Sequence, residues 1–155
     1  GFAVITSPDI RWLRCDIKTV NLLASTITNQ KAKDLGFDDA IFIRDNIITE
    51  ATFANVFIVN QQNQLITHPA NQHILCGITR NRLIKIAKEQ GFEVLEKTFD
   101  YPQLISAKEV FLTSSSLLIR PIYKINDVIF NAKKDFSVAK LLIEKYNIFI
   151  DSHFS

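Results

Sequence analysis

Asp9-Ile10-Arg11-Trp12-Leu13-Arg14-Cys15-Asp16-Ile17-Lys18 is the stretch on which the reading of this chain turns. Its β-forming residues and its alternation of type predict a strand over residues 9–18. On a strand, successive side chains point to opposite faces, so Trp12, Arg14, Asp16 and Lys18 share one face. Residues 21–35 follow with a helical pattern, in which Leu22, Leu23, Ile27, Ala32 and Leu35 form an apolar stripe and Gly36 supplies the stop. Residues 39–44, 55–59, 64–67, 92–99, 109–113, 119–125 and 128–130 read as strands, with turns at Asp45-Asn46 and Asn126-Asp127 and a hairpin-like loop at residues 61–63. Thr79 can cap a helix over residues 80–90 that Gly91 ends. Residues 102–107 form a short helix and residues 137–146 a closing one. This order of strands, helices and hairpins predicts an α/β or α+β fold with a mixed sheet.

Composition narrows the class. The chain has 155 residues, 47% hydrophobic and 22% charged, enough for one domain with a core of its own. The net charge is +2 and Lys and Arg form no cluster, which argues against a nucleic-acid partner. No stretch is long and apolar enough to span a membrane. The two cysteines, Cys15 and Cys76, sit in no metal-binding spacing, and two isolated thiols fit the cytoplasm. His68 and His73 are not spaced as a helical ligand pair, so no metal site is expected. The chain has no Met and its first residues already read as a strand, which suggests a piece of a longer protein.

Three features have chemical potential on their own. A neighbouring cation lowers a lysine's pKa and a carboxylate opposes it, and both Arg14 and Asp16 share the predicted face of Lys18. Glu50 is a single acidic residue between two strand-like runs. Gly77-Ile78-Thr79 opens a predicted helix, where free N–H groups and the helix dipole favour an anion. Taken singly, these have ordinary readings: a surface lysine, a solvated carboxylate and a plain helix start.

Taken together they resemble a family. Residues 14–23 (RCDIKTVNLL) are similar to the lysine segment of fold-type IV pyridoxal-phosphate enzymes, the class IV aminotransferases, and most similar to that of the D-amino acid aminotransferases. Residues 49–57 (TEATFANVF) match the family's T-E-x-x-x-x-N-[VL]-F segment. Residues 67–71 (THPAN) and 74–80 (ILCGITR) match its loop and phosphate turn, and residues 109–116 (EVFLTSSS) match a later strand and turn. Four motifs in order cover nearly the whole chain.

The resemblance implies a fold and a role for each residue. The fold would be the C-terminal domain of the D-amino acid aminotransferase type, a mixed sheet or pseudo-barrel with packed helices. Residues 1–155 would be the large domain that binds pyridoxal 5'-phosphate, with a smaller N-terminal domain absent from this chain. Lys18 would be the catalytic lysine that bonds to the cofactor. Glu50 would face the cofactor's ring nitrogen, and Leu75 would lie against the ring. Ile78 and Thr79 would hold the phosphate together with Ser115, and Arg14 would orient the site. The implied reaction is transamination between an amino acid, of the D-alanine type, and a 2-oxo acid, in a cytoplasmic homodimer. Residues 116–120 (SLLIR) and Phe53 depart from the D-amino acid pattern. A 4-amino-4-deoxychorismate lyase, a branched-chain aminotransferase and a non-catalytic α/β binding module therefore stay open as alternatives.

Overall fold

The computed structural model describes residues 1–129 and 135–154. Strand β1 (Phe2–Pro8) comes first, then helix α1 (Leu23–Asp34), β2 (Asp39–Arg44), β3 (Ile47–Ala51), β4 (Asn55–Val59) and β5 (Leu65–Thr67). Helix α2 (Ile78–Glu89), β6 (Val94–Glu96), α3 (Tyr101–Ile105), β7 (Glu109–Ser114), β8 (Leu118–Ile125), β9 (Val128–Ile129) and α4 (Ser137–Phe154) complete it. The strands form one mixed sheet in the order β3-β2-β1-β8-β7-β4-β5-β6, with β9 beside β8. Strand β1 is parallel to both of its neighbours and β5 is parallel to β6, while the other pairs are antiparallel.

The sheet curls until its two ends meet. Ile48 on β3 donates its N–H to the carbonyl of Phe99, which follows β6, at 2.9 Å, and Ile47 bridges Asp100. The inside of the curl is a dry core of Val4, Ile41, Ile48, Val56, Leu112 and Ile122, closed by Leu104 from α3. The outer face is a second core: Phe57 and Phe111 stack at 5.4 Å and are covered by Leu83 and Ala87 of α2 and Leu142 and Tyr146 of α4. The expected mixed sheet and pseudo-barrel with packed helices are thus what the chain forms.

Strand and turn chemistry behaved as the residue types dictate. Asp45 and Asn46 both have positive φ, the two-residue turn that suits the twist of β2 and β3. Gly36 and Gly91 end α1 and α2 at φ near 80°, with no atom within 4 Å of an added Cβ, so conformation alone selects glycine there. The short helix α3 begins one residue earlier than expected because Asp100 and Gln103 form a reciprocal capping box. Phe130, the end of the last expected strand, lies outside the described residues.

The strand expected over residues 92–99 is only Val94–Glu96, the closing helix runs on to Phe154, and two larger expectations about these elements fail outright. Residues 9–18 are not a strand: β1 ends at Pro8, and the lysine segment is a turned loop. The shared face of Trp12, Arg14, Asp16 and Lys18 therefore does not exist. The loop instead pins its backbone to other segments. Asp9 donates to the carbonyl of Ile43 at 2.8 Å, and Cys15 to that of Gln72 at 2.9 Å. The second failure is the stripe on α1. Its buried residues are Ser25, Thr28 and Ala32, while Leu22, Leu23, Ile27 and Leu35 face outward.

Candidate active site

The lysine loop owes its shape to Arg11. This guanidinium is nearly buried, lies 4.6 Å over the ring of Phe42, and joins two carboxylates. It bonds Asp9 through Nε and Nη2, both at 2.8 Å, and Glu50 through Nη1. Arg44 from β2 completes the group, 3.1 Å from Asp9 and 2.9 Å from the carbonyl of Arg11. Two cations and two carboxylates thus interleave, so none is buried without an opposite charge. Burial alone would raise the pKa of Asp9, but Arg11 and Arg44 outweigh it, and the carboxylate stays below its usual range.

Glu50, on β3, is 6% exposed. Its Oε1 accepts from Arg11, and its Oε2 accepts from the side-chain amide of Asn55 at 3.1 Å. The N–H of Leu75 sits between the two oxygens, at 3.2 and 3.1 Å. Burial pushes the Glu50 carboxyl up to about 7, against the pull of Arg11 and of the Leu75 N–H. Arg11 moves the other way: despite its own burial, the two carboxylates hold it more firmly protonated than an ordinary arginine.

The other end of the site is the start of α2. Gly77 is the N-cap, in extended conformation, and no side chain caps the helix. Thr79 was expected to be that cap; it lies instead inside the first turn, and is buried. The first-turn N–H groups are therefore available to an anion. Gly77 has φ −66° and ψ 142°, which any residue adopts, so the turn itself does not need glycine. Close approach does: a Cβ there would lie 2.5 Å from Oδ1 of Asn55.

These parts surround one cavity of about 540 Å³. Lys18, Glu50, Leu75, Ile78, Thr79 and Ser115 all line it. Arg14, the seventh residue singled out in the sequence, does not; it is half exposed and paired with Asp16 at 2.8 Å on the surface. The arginine at the cavity is Arg11, which lines it together with Lys18. The end of β7 adds Ser114, whose hydroxyl accepts from the Leu117 N–H at 3.1 Å, and the buried Thr113, whose hydroxyl has no hydrogen-bond partner among the described residues. Among those residues no group of His, Cys, Asp and Glu could hold a metal ion.

Sequence reasoning missed Arg11, Asp9 and Asn55. A strand reading puts Arg11 on the face opposite Lys18, which hid it. Asn55 was visible only as a letter of the motif T-E-x-x-x-x-N. The spacing of five from Glu50 becomes meaningful once β3 and β4 are known to bring the two side chains face to face across the tight link at residues 52–54.

A lysine on the cavity wall, a buried carboxylate inside and an uncapped helix start thus meet in one cavity of a curled mixed sheet. The sequence model of the Amino-transferase class IV family matches residues 3–125, and the chain belongs to that family. A D-alanine aminotransferase of Bacillus licheniformis is 41% identical over 126 residues, covering 81% of this chain and 44% of that protein. Two solved structures carry the same fold. The branched-chain amino acid aminotransferase of Escherichia coli superimposes with a TM-score of 0.83 at 27% identity, over 95% of this chain and 51% of that one. A Legionella pneumophila protein described as a 4-amino-4-deoxychorismate lyase gives 0.84 at 32% identity, over 95% and 55%. The chain spans about half the length of the relatives it matches.

Proposed function

We propose that the protein carrying this chain transfers the amino group of a D-amino acid, of the D-alanine type, to a 2-oxo acid with pyridoxal 5'-phosphate as cofactor. The observation that carries this reading is the single cavity that gathers Lys18, the buried Glu50 carboxylate and the uncapped start of α2. The cavity suits a small organic ligand in size, and its two ends offer a carboxylate and an anion site, the pair of partners a phosphorylated pyridine needs. The 41% identity to a D-alanine aminotransferase supports the choice of substrate class.

In this reading Lys18 would hold the cofactor covalently. Its amine would also remove the substrate's α-proton as a base and return a proton as an acid. The bound cofactor supplies the electron sink for the bond broken at the α-carbon. Glu50 would keep a proton on the cofactor's ring nitrogen, and Arg11 fixes the carboxylate that would do so. The N–H groups of Ile78 and Thr79, with the hydroxyls of Thr79 and Ser115, would hold the phosphate, and Leu75 would support the ring. Arg14 has no place in this scheme beyond shaping the loop through Asp16.

The chain is the cofactor half of this enzyme, and a further domain and a second subunit complete the substrate pocket. The coverage of its relatives and the exposed apolar residues that line the cavity, Leu22, Leu23 and Ile78, support that reading. A cytoplasmic homodimer is the assembly proposed. Among the described residues no helix is long and apolar enough to cross a membrane. The second reading is pyruvate elimination from aminodeoxychorismate, favoured by the 32% identity to the Legionella protein; branched-chain transamination is the third. An activity panel on the full-length protein decides among them: D-alanine with 2-oxoglutarate, branched-chain L-amino acids, and aminodeoxychorismate. Turnover of D-alanine in the panel is the expected result. Pyruvate release from aminodeoxychorismate without any transamination would overturn the first reading.

A further inference from the structure

We propose that Asn55 is a positioning residue that fixes the separation between the Glu50 carboxylate and the start of α2, and that Gly77 is glycine in order to admit it. The inference rests on the reading of the cavity as a pyridoxal-phosphate site. Asn55 stands on β4 at the floor of the cavity, between its two ends. Its side-chain amide has two N–H donors, and both are used: one to Oε2 of Glu50 at 3.1 Å, the other to the carbonyl of Leu75 at 2.8 Å. That settles which way the amide points. Turned over, it would set its oxygen against a carboxylate and a carbonyl, two acceptors with nothing to give. Oδ1 is thereby directed at Gly77, where it occupies the space of a Cβ.

Three consequences follow from this one side chain. The carboxylate gains a neutral donor, which steadies its charge without adding a cation to the cavity. The segment from Leu75 to Gly77 is held to β4, and with it the start of α2. A ligand with a ring nitrogen at one end and a phosphate at the other needs those two anchors at a set distance. Asn55 spans them. Because the backbone of Gly77 is ordinary, the Oδ1 contact is the one thing that forbids a larger residue there.

The test is a double-mutant cycle on the full-length protein, read by spectral titration with pyridoxal 5'-phosphate and by melting of the cofactor-free form. Asn55→Ser removes both donors and the oxygen at Gly77, and should weaken cofactor binding about tenfold or more, the scale of a lost charge-assisted hydrogen bond. Gly77→Ala should do the same through its clash. In the Asn55→Ser background, Gly77→Ala should add less than about threefold, since the obstacle is gone. A second readout separates positioning from mere folding. The Glu50 carboxyl band in the infrared, assigned with Glu50→Gln, should titrate at higher pH in Asn55→Ser than in the parent. Arg11, the Leu75 N–H, Asp9 and Arg44, the other groups around that carboxyl, are unchanged in both. Unchanged affinity in either single variant, additive losses in the double, or an unmoved Glu50 titration would each overturn the proposal. Should Asn55→Ser not fold, Gly77→Ala alone still tests the contact, and normal affinity there refutes it. A parent protein that binds no pyridoxal 5'-phosphate would overturn the reading of the cavity, and this proposal with it.

Discussion

In the proposed function two side chains carry the chemistry, and each makes a distinct prediction. Lys18 is exposed on the cavity wall. Borohydride reduction of the cofactor-loaded protein should label Lys18, and Lys18→Ala should abolish both label and turnover; label on another lysine would remove the central residue of the scheme. Glu50 predicts a pH effect on stability. Its carboxyl is raised by burial from 4.5 to about 7 in the folded chain. Between those values the folded state holds a proton that the unfolded state has released. Stability therefore falls as pH rises through that window, and is steady on either side as far as this group decides it. Asp9 works in the opposite sense, since its carboxyl is held low: its contribution is present above the ordinary aspartate range and is lost as pH falls through the lowered value. Glu50→Gln should flatten the decline between about 4.5 and 7 in melting temperatures of the cofactor-free protein. A decline of the same steepness in that variant would assign it to another group.

At the scale of elements, the most informative acid is not in the site at all. Glu109 opens β7, is buried, and accepts from the N–H groups of Val138 and Ala139 and the hydroxyl of Ser137 at 2.8 to 3.2 Å. A strand residue thus caps the first turn of α4, which packs on the outer core. The acidic letter of the motif at residues 109–116 is thereby explained by helix docking. Glu109→Ala should cost about 2 kcal/mol of stability with little change in cofactor affinity, measured by denaturant melts and spectral titration. In the proposed function phosphate anchoring belongs to α2 and the β7–β8 turn. Thr79→Ala with Ser115→Ala should weaken cofactor binding about tenfold per lost charge-assisted bond, while bound-state rates stay near normal. Unchanged affinity would place the phosphate elsewhere.

The same scale shows what the sequence could and could not tell. Turns and stops were legible because Asp45-Asn46, Gly36 and Gly91 act through backbone preference, which is local. Strands β2, β4, β7 and β8 were legible because their apolar residues face cores on both sides of the sheet. The lysine loop was misread because its residues are chosen for ion pairs made at a distance: Arg11 with Glu50, thirty-nine positions away, cannot be seen in a window of ten. Helix α1 was misread for a related reason. Ser25 and Thr28 are buried, and Asn29 bonds Asp39 and Thr52, so polar contacts face the sheet while the leucines face out. Of the candidate site residues all but Arg14 line one cavity, but the network around them, Asp9, Arg11, Arg44 and Asn55, needed the fold.

Those outward leucines bear on the molecule as a whole. Val20 is 98% exposed, Ile78 82%, Leu23 69% and Ile27 55%, all at or beside the cavity mouth. An apolar surface of that kind, next to a charged interior, is what remains when a chain is separated from something that covers it. The covering surface in the proposed enzyme is the rest of the polypeptide and the second subunit. The purified 155-residue chain should therefore fold, because its two cores are closed on their own. It should also associate with itself, bind pyridoxal 5'-phosphate weakly, and transaminate negligibly. Leu23→Glu with Ile27→Glu, on the open face of α1 and away from its buried residues, should leave the melting temperature of this chain within a few degrees and shift its sedimentation toward monomer. In the full-length protein the same pair should lower activity by disturbing the covered face. Two measurements decide it: sedimentation velocity of the short chain with and without the two charges, and D-alanine turnover by the short chain alone. Monomeric behaviour of the unaltered chain would show that its apolar mouth needs no cover, and brisk turnover by it would show that the pocket is already complete.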